Sequence, residues 1–270
     1  MENEELKTLV KEKYGEIAKK SVAELENSSC CGTQCCGETS DYTCFNDDYS
    51  KLEGYTPGAD LKLGCGVPTQ TAAIRSGDTV LDLGSGAGND AFVARALVGK
   101  EGKVIGLDMT EAMLEKARKN ARSLGFSNVE FQLGDIEQMP IESASVDVII
   151  SNCVLNLVPD KHKAFSEMFR VLKRGGHFSV SDIVLASPLP EALQQAAEMY
   201  AGCVSGAIPQ NEYLEIISRA GFSKVEVKIE KPISLPEEVL SKYLHGAEMQ
   251  GLRSAGAVIR SVTVYGEKVV

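Results

Sequence analysis

The chain reads as an α/β protein: a mostly parallel sheet covered on both faces by helices. A cysteine-rich arm precedes it, and a helical insert with two late strands follows. Three observations carry that expectation. Short apolar runs alternate with helix-length amphipathic segments between Thr79 and Val184, the rhythm of parallel strands joined by crossover helices. The first strand runs straight into Gly84, Gly86 and Gly88. The 270 residues, 43% hydrophobic and 24% charged, suffice for one large core with appendages or for two modest domains.

Glu4 to Glu26 is expected to be helical, because Leu6, Leu9, Val10, Ile17, Val22 and Leu25 recur at roughly helical spacing among Lys and Glu. Asn27 to Ser50, rich in Cys, Gly, Ser and Asp, reads as loop, and so does the glycine-rich stretch from Tyr55 to Pro68. Strands are expected at Thr79–Leu83, Val104–Leu107, Val129–Leu133, Val146–Ser151 and His177–Val184. Between them come helices at Asn89–Val98, Thr110–Leu124 (stopped by Gly125) and His162–Leu172 (stopped by Gly175 and Gly176). Beyond Pro188, helices are expected at Pro190–Val204, Gln210–Ala220 and Glu237–Gln250. Strands at Val225–Glu230 and Val258–Val264 are expected to join the same sheet at an antiparallel edge.

Lys and Arg number 28 against 38 Asp and Glu, a formal charge of -10, which argues against broad nucleic-acid binding. No apolar run approaches the roughly 20 residues of a membrane span. Met1 to Glu5 is acidic with no apolar stretch behind it, unlike a signal peptide. A cytoplasmic monomer is therefore the expectation. Of the 8 cysteines, five fall between Cys30 and Cys44, and the others are Cys65, Cys153 and Cys203. A disulfide framework belongs to small secreted chains, so isolated cysteines here read as buried hydrophobes or as reactive thiols. His162, His177 and His245 are well separated and read as structural or solvent-facing.

The turn Val80 to Asp90, V-L-D-L-G-S-G-A-G-N-D, carries the first chemical signal. Gly84 and Gly86 let the backbone turn sharply and approach a ligand, and Gly88 removes bulk where the helix starts. Asp108 closes the next strand 20 residues past Gly88, where a carboxylate accepts from ribose hydroxyls. A pyrophosphate at this turn would gain little from Asp82 and Asp90, whereas a cationic methyl donor with an amino group would. The stretch resembles motif I of the class I S-adenosylmethionine-dependent methyltransferases, which implies a Rossmann-like sheet. Leu133-Gly134-Asp135-Ile136 resembles the family's adenine site, and Val146 to Cys153 resembles its fourth-strand segment with Asn152 at the mouth. Leu172-Lys173-Arg174-Gly175-Gly176 resembles the turn before its fifth strand. Met109, next to Asp108, packs against adenine or simply joins the core.

Topology brings three isolated cysteines toward one place. Cys153 follows the fourth strand, Cys65 lies in the loop before the fold, and Cys203 lies in the insert beyond the fifth strand. Three thiolates suit a soft, thiophilic centre, whereas structural zinc wants four ligands and a closely spaced cysteine pair. Trivalent arsenic takes three thiolates and keeps a lone pair. Three motifs resemble those of the arsenite methyltransferases of the microbial and algal type. They are Lys62-Leu63-Gly64-Cys65-Gly66, Ser151-Asn152-Cys153-Val154-Leu155-Asn156-Leu157, and Ala201-Gly202-Cys203-Val204-Ser205-Gly206-Ala207. Tyr14-Gly15 to Leu25 resembles the family's N-terminal helix, which leads to a further cysteine. Cys30 matches that cysteine best by its distance from Leu25, and Cys31 is next.

The resemblance implies that Cys65, Cys153 and Cys203 bind As(III), and that Cys30 supports the first methylation through a disulfide with Cys65. It implies S-adenosylmethionine as methyl donor, arsenite or its thiol conjugates as substrate, and thioredoxin or glutathione as reductant. Residues 1–66 would form the arm, 67–186 the cofactor-binding core, and 187–270 the completing strands and the arsenic-site lid. The pairs Cys30-Cys31 and Cys35-Cys36, with Cys44, could bind metal or further arsenic, relay disulfides, or mark a flexible arm. Two other functions stay open at this point: methyl transfer to carbon, nitrogen or oxygen of a small metabolite, as in quinone-type methyltransferases, and metalloid binding without turnover.

Overall fold

The computed structural model describes residues 3–19, 47–190, 206–233, 240–254 and 258–269. Helix α1 (Asn3–Lys19) comes first, and the described residues from 47 to the sheet include a 3-10 turn at Pro68–Gln70. Strand β1 (Thr79–Leu83), helix α2 (Asn89–Val98), β2 (Lys103–Asp108), α3 (Glu111–Ser123) and β3 (Val129–Leu133) follow in strict alternation. After them come β4 (Val146–Asn152), α4 (Lys161–Val171), β5 (Leu172–Leu185), α5 (Gln210–Arg219), β6 (Ser223–Ile233), α6 (Ala247–Ser254) and β7 (Ile259–Glu267).

The seven strands form one mixed sheet in the order β3-β2-β1-β4-β5-β7-β6. The first five are parallel, with Leu81 opposite Ile105 on one side and Ile149 on the other. β7 runs antiparallel to β5, from His177–Glu267 to Leu185–Ile259, and β6 lies antiparallel outside it, as the sequence pattern predicts. The outward Lys224, Glu226, Lys228 and Glu230 of β6 place charge along that open edge, which discourages pairing with another chain.

Alternate residues of the central strands feed two separate cores, because successive side chains of a strand point to opposite faces. Leu81, Leu83 and Ile149 join Phe165, Met168, Phe178 and Tyr213 beneath α4 and α5. Val80, Val148 and Ile150 join Phe92, Ala94, Leu114 and Ala117 beneath α2 and α3. Both faces being covered explains why β1 and β4 read as almost continuous apolar runs.

Two elements differ from the sequence expectation. α4 is not stopped by Gly175 and Gly176: the chain turns extended at Leu172, which opens a 14-residue β5. The glycines lie inside that strand, where Gly175 N–H donates to the carbonyl of Lys268 (2.7 Å) and the β4–β5 register shifts around them. In the predicted helix Glu237–Gln250, residues 237–239 lie outside the described residues, 241–243 form a turn, Gly246 takes a positive φ of 53°, and α6 begins at Ala247. The end of the first predicted helix beyond Lys19, the insert helix from 191 to 204, and Cys30, Cys31, Cys35, Cys36, Cys44 and Cys203 lie outside the described residues. No helix among the described residues is long and apolar enough to cross a membrane.

Asp182 on β5 is fully buried and accepts from the Tyr213 hydroxyl (3.2 Å) and the Ile183 N–H (3.0 Å). Burial pushes its carboxyl up to about 7. In the unfolded chain the same group titrates near 4, so the folded state holds the proton more tightly. Its stabilising contribution is complete below about pH 4 and is lost as pH rises through about 7. Asp182→Asn is therefore expected to gain in Tm relative to the parent chain as pH rises from about 5 to about 8. Scanning calorimetry across that range checks it, and a constant Tm difference would contradict it.

Candidate active site

A cavity opens at the carboxyl ends of β1, β2, β3 and β4. Its floor is the β1–α2 turn. Gly86 takes a φ of 51° with nothing near the position a side chain would fill, so the turn presents open backbone to the cavity. Gly84 also lines it. Gly88 does not: it caps α2 in a left-handed conformation, where an added Cβ would stand 2.8 Å from the ring of Phe92, so its role is close packing.

Three carboxylates meet at this floor. Asp108, at the end of β2, accepts from Gly86 N–H (2.9 Å) and Thr110 N–H (2.8 Å), and burial raises its proton affinity against the pull of those two donors. Asp82 on β1 is buried, and desolvation, with Asp90 and Asp108 adding repulsion, pushes its carboxyl well up. Asp90 in the first turn of α2 is raised to about 6 by burial, which hydrogen bonds from Tyr49 (2.8 Å) and Asn152 (3.1 Å) oppose. Asp82 Oδ2, Ser85 Oγ and Asn89 Oδ1 are buried along the cavity without a hydrogen-bond partner. Unfilled acceptors beside buried carboxylates fit a ligand that brings donors and positive charge.

The far rim holds Met109, Asp135 and Ile136. Asp135 is not an open acceptor here. Lys7 of α1 donates to its carboxylate (2.7 Å) and to Glu137 (2.6 Å), while Glu137 N–H takes the other Asp135 oxygen (2.9 Å). Burial alone would raise the Asp135 carboxyl, but Lys7 and the Glu137 N–H outweigh it and hold it below the usual carboxylate range.

At the mouth of β4 stand Asn152 and Cys153, both lining the cavity. Cys153 has a φ of 60°, a left-handed backbone that a residue with a side chain adopts at a cost. Its N–H donates to Ser181 O (2.7 Å). Cys65 is buried in the same apolar cluster as Cys153, with Leu157, Ile183 and Ile259. It lines a second, polar cavity beside Lys231, Ser261 and Thr263 rather than the first. Among the described residues, no three His, Cys, Asp or Glu side chains are arranged to hold a metal ion. Of the three predicted arsenic ligands, Cys65 and Cys153 thus share one apolar cluster but line different cavities, and Cys203 lies outside the described residues.

Sequence reasoning missed Tyr49, Lys7 and Asp60. Tyr49 is 1% exposed, Asp60 is buried on the cavity wall and holds Lys62, and Lys7 is the α1 cation that bridges Asp135 and Glu137. The only signal for Tyr49 was an aromatic residue in an otherwise polar stretch. Tyr14 lines the cavity, whereas Tyr55 packs beside Tyr49 away from it. His162 and His245 are exposed, and His177 contacts Ala72 O (2.6 Å), as structural or solvent-facing histidines should.

The family model described as a methyltransferase domain matches residues 74–221. An arsenite methyltransferase of Halobacterium salinarum is 37% identical over 277 residues, covering 98% of this chain and 67% of that one. The crystal structure of an arsenic(III) S-adenosylmethionine methyltransferase from Chlamydomonas reinhardtii superposes with a TM-score of 0.64 at 36% identity, over 76% of this chain and 68% of that one. The chain belongs to the arsenite S-adenosylmethionine methyltransferase family. The human arsenite methyltransferase is 36% identical over 174 residues, and the match spans 61% of this chain but only 46% of the human protein.

Membership makes the chain a methyltransferase with S-adenosylmethionine as methyl donor, and the cavity floor fits it. Gly84 and Gly86 would hold its backbone-facing side, Asp108 its ribose, and Asp82 with Asp90 its positive charge. Asp108→Ala is expected to weaken S-adenosylmethionine binding by about 10- to 100-fold, since hydrogen bonds to a buried carboxylate are lost. Binding to the parent chain should also weaken as pH falls through about 6, where Asp90 takes up a proton and loses its charge. Titration calorimetry at several pH values reads both effects, and pH-independent binding would contradict the second.

Proposed function

We propose that this chain methylates trivalent arsenic, with the arsenic held by cysteine thiolates while it takes the methyl group. The observation that carries the reading is the place of Cys153: the residue after Asn152, on a left-handed backbone, lining the same cavity as the carboxylate-rich cofactor turn. Family membership supports the same substrate.

When bound, S-adenosylmethionine supplies an electrophilic methyl group on a sulfonium. The chain's own residues do the rest. Asp108, Asp82 and Asp90 orient and balance the donor. The apolar wall of Val154, Leu157 and Val158 keeps water from the reacting atoms. Cys153, Cys65 and Cys203 exchange onto As(III), each forming an As–S bond and releasing water or a thiol. A thiolate, not a thiol, makes that bond, and the proton it gives up leaves on the displaced hydroxide or thiolate. Three sulfur ligands leave the arsenic lone pair as the only nucleophile, and the displacement asks for positioning more than for acid–base help.

Taking the methyl group formally oxidises arsenic from the trivalent to the pentavalent state. Two thiols return the two electrons and close to a disulfide. Cys65 with Cys30, or Cys31 in its place, would supply them, and thioredoxin or glutathione would reduce the pair again. Residues 187–270 would contribute Cys203 and the lid of the site.

The test is methyl transfer from labelled S-adenosylmethionine to arsenite with a thiol reductant, the arsenic species being separated by chromatography. Label is expected in mono- and dimethylated arsenic. Cys153→Ser should lower its appearance by about a hundredfold or more, the loss that follows when a reacting group is no longer held in place. Label that stays in the donor despite tight donor binding would overturn the reading and turn the search to organic acceptors.

A further inference from the structure

We infer that Asn152 and Tyr49 are positioning residues for the methyl acceptor: they lock the backbone of Cys65 to the end of β4, beside Cys153, and tie that lock to Asp90 at the cofactor turn. The inference deepens the proposed reading and rests on it for its chemistry, although the lock itself is geometric.

Both peptide groups of Cys65 are held. Its N–H donates to Asn152 Oδ1 (3.0 Å), and its carbonyl accepts from the Ser261 hydroxyl of β7. The neighbouring glycines fit the loop into this grip. A Cβ on Gly64 would stand 2.6 Å from Asn152 Nδ2, and one on Gly66 would stand 2.7 Å from Ser181 Cβ. A side chain at either position would push the loop off the sheet. The motif Gly64-Cys65-Gly66 therefore has a local cause: the cysteine must sit where the backbone is pressed against β4 and β5.

Asn152 is the hinge of the arrangement. Its Nδ2 lies within reach of the Tyr49 hydroxyl (2.8 Å), Gly66 O (2.9 Å) and Asp90 Oδ2 (3.1 Å). The Tyr49 hydroxyl also reaches Gly66 O (3.0 Å) and Asp90 Oδ1 (2.8 Å). The amide has two hydrogens and the phenol one, and together they serve a carboxylate and a carbonyl that are otherwise buried. No water can replace either donor cheaply in such a place. The same two side chains thus satisfy the cofactor-side carboxylate and the cysteine loop at once. Asn152 is also adjacent in sequence to Cys153, so the Cys65 loop is held at the strand end from which Cys153 leaves the sheet.

The test is the rate at which iodoacetamide labels Cys65 in the full chain, located by peptide mass mapping, with Cys153 as internal reference. Tyr49→Phe keeps the buried ring and removes only the hydroxyl, and Asn152→Ala removes the hinge. Each is expected to speed labelling of Cys65 by about tenfold, the scale of one buried hydrogen bond, while Cys153 changes much less. In the methyl-transfer assay, Tyr49→Phe should raise the KM for arsenite by a similar factor. Unchanged Cys65 labelling, or equal acceleration of both cysteines, would overturn the inference, the second by showing general loosening. If Asn152→Ala fails to fold, Tyr49→Phe decides alone. Labelling involves no arsenic, so a parent chain that does not methylate arsenite would defeat the proposed function, while the lock would still stand or fall on the labelling rates.

Discussion

The reversal of strand order between β1 and β4 is the constraint on which the rest depends. From β1 the chain winds outward through β2 and β3; from β4 it winds the other way through β5. The segments leaving the carboxyl ends of β1 and β4 therefore part to opposite sides and leave a crevice above the sheet centre. Every sheet-borne group of the cavity, from Gly84 and Asp108 to Asn152 and Cys153, stands at a strand end facing that crevice. The crevice has a cost: it buries Asp82 and Asp90 close together, and desolvation opposes their charge. Backbone N–H groups and the side chains of Tyr49 and Asn152 meet part of that demand, and the remaining acceptors are left for a ligand.

The segments ahead of the sheet are consequently part of the site rather than an appendage to it. Tyr49 donates to the Asp90 carboxylate on α2 and reaches Gly66 O of the Cys65 loop. Leu61 and Leu63 pack with Ala87 and Met113 against Tyr14 and Ile17 of α1. Lys7 then closes α1 onto the loop after β3 through a half-buried ion pair with Asp135 and Glu137. The rim that the family resemblance gives to adenine is thus gripped by the first helix. A ligand that uses the Asp135 carboxylate must share it with Lys7 or displace it.

Most of the fold was legible in the sequence because its signals are local. Strand-length apolar runs, helical spacing, and glycines at turns fix β1, α2, β3 and their neighbours to within a residue or two. The misreadings have non-local causes. Gly175 and Gly176 look like a helix stop, but pairing with Lys268, far along the chain, draws them into β5. Asp135 lines the cavity, but its ion pair with Lys7 had no signal in the sequence, because only tertiary structure brings Lys7 to it. That Cys65 and Cys153 fall in one apolar cluster follows from topology. That Cys65 lines a cavity of its own does not, because the orientation of a loop residue depends on what grips its backbone. Tyr49 was invisible for the same reason: its importance lies in partners 17, 41 and 103 residues away.

The segment Ser151-Asn152-Cys153 shows how tightly these demands are packed. Ser151 is buried and donates its hydroxyl to Leu83 O, joining β4 to β1. Asn152 is still in register with Ser181 of β5 while its side chain already serves the loop and α2. The next residue must leave the sheet at once, and it does so by a left-handed turn whose N–H returns to Ser181 O. Glycine would adopt that backbone without penalty, whereas a side chain there costs about 1–2 kcal/mol. Folding alone would thus favour glycine at this position. A thiol stands there instead, lining the cavity at the carboxyl ends of the strands and packed in the apolar cluster with Leu157 and Ile183. Under the proposed function, this strained turn at the edge of the crevice is where a thiolate would meet the methyl donor.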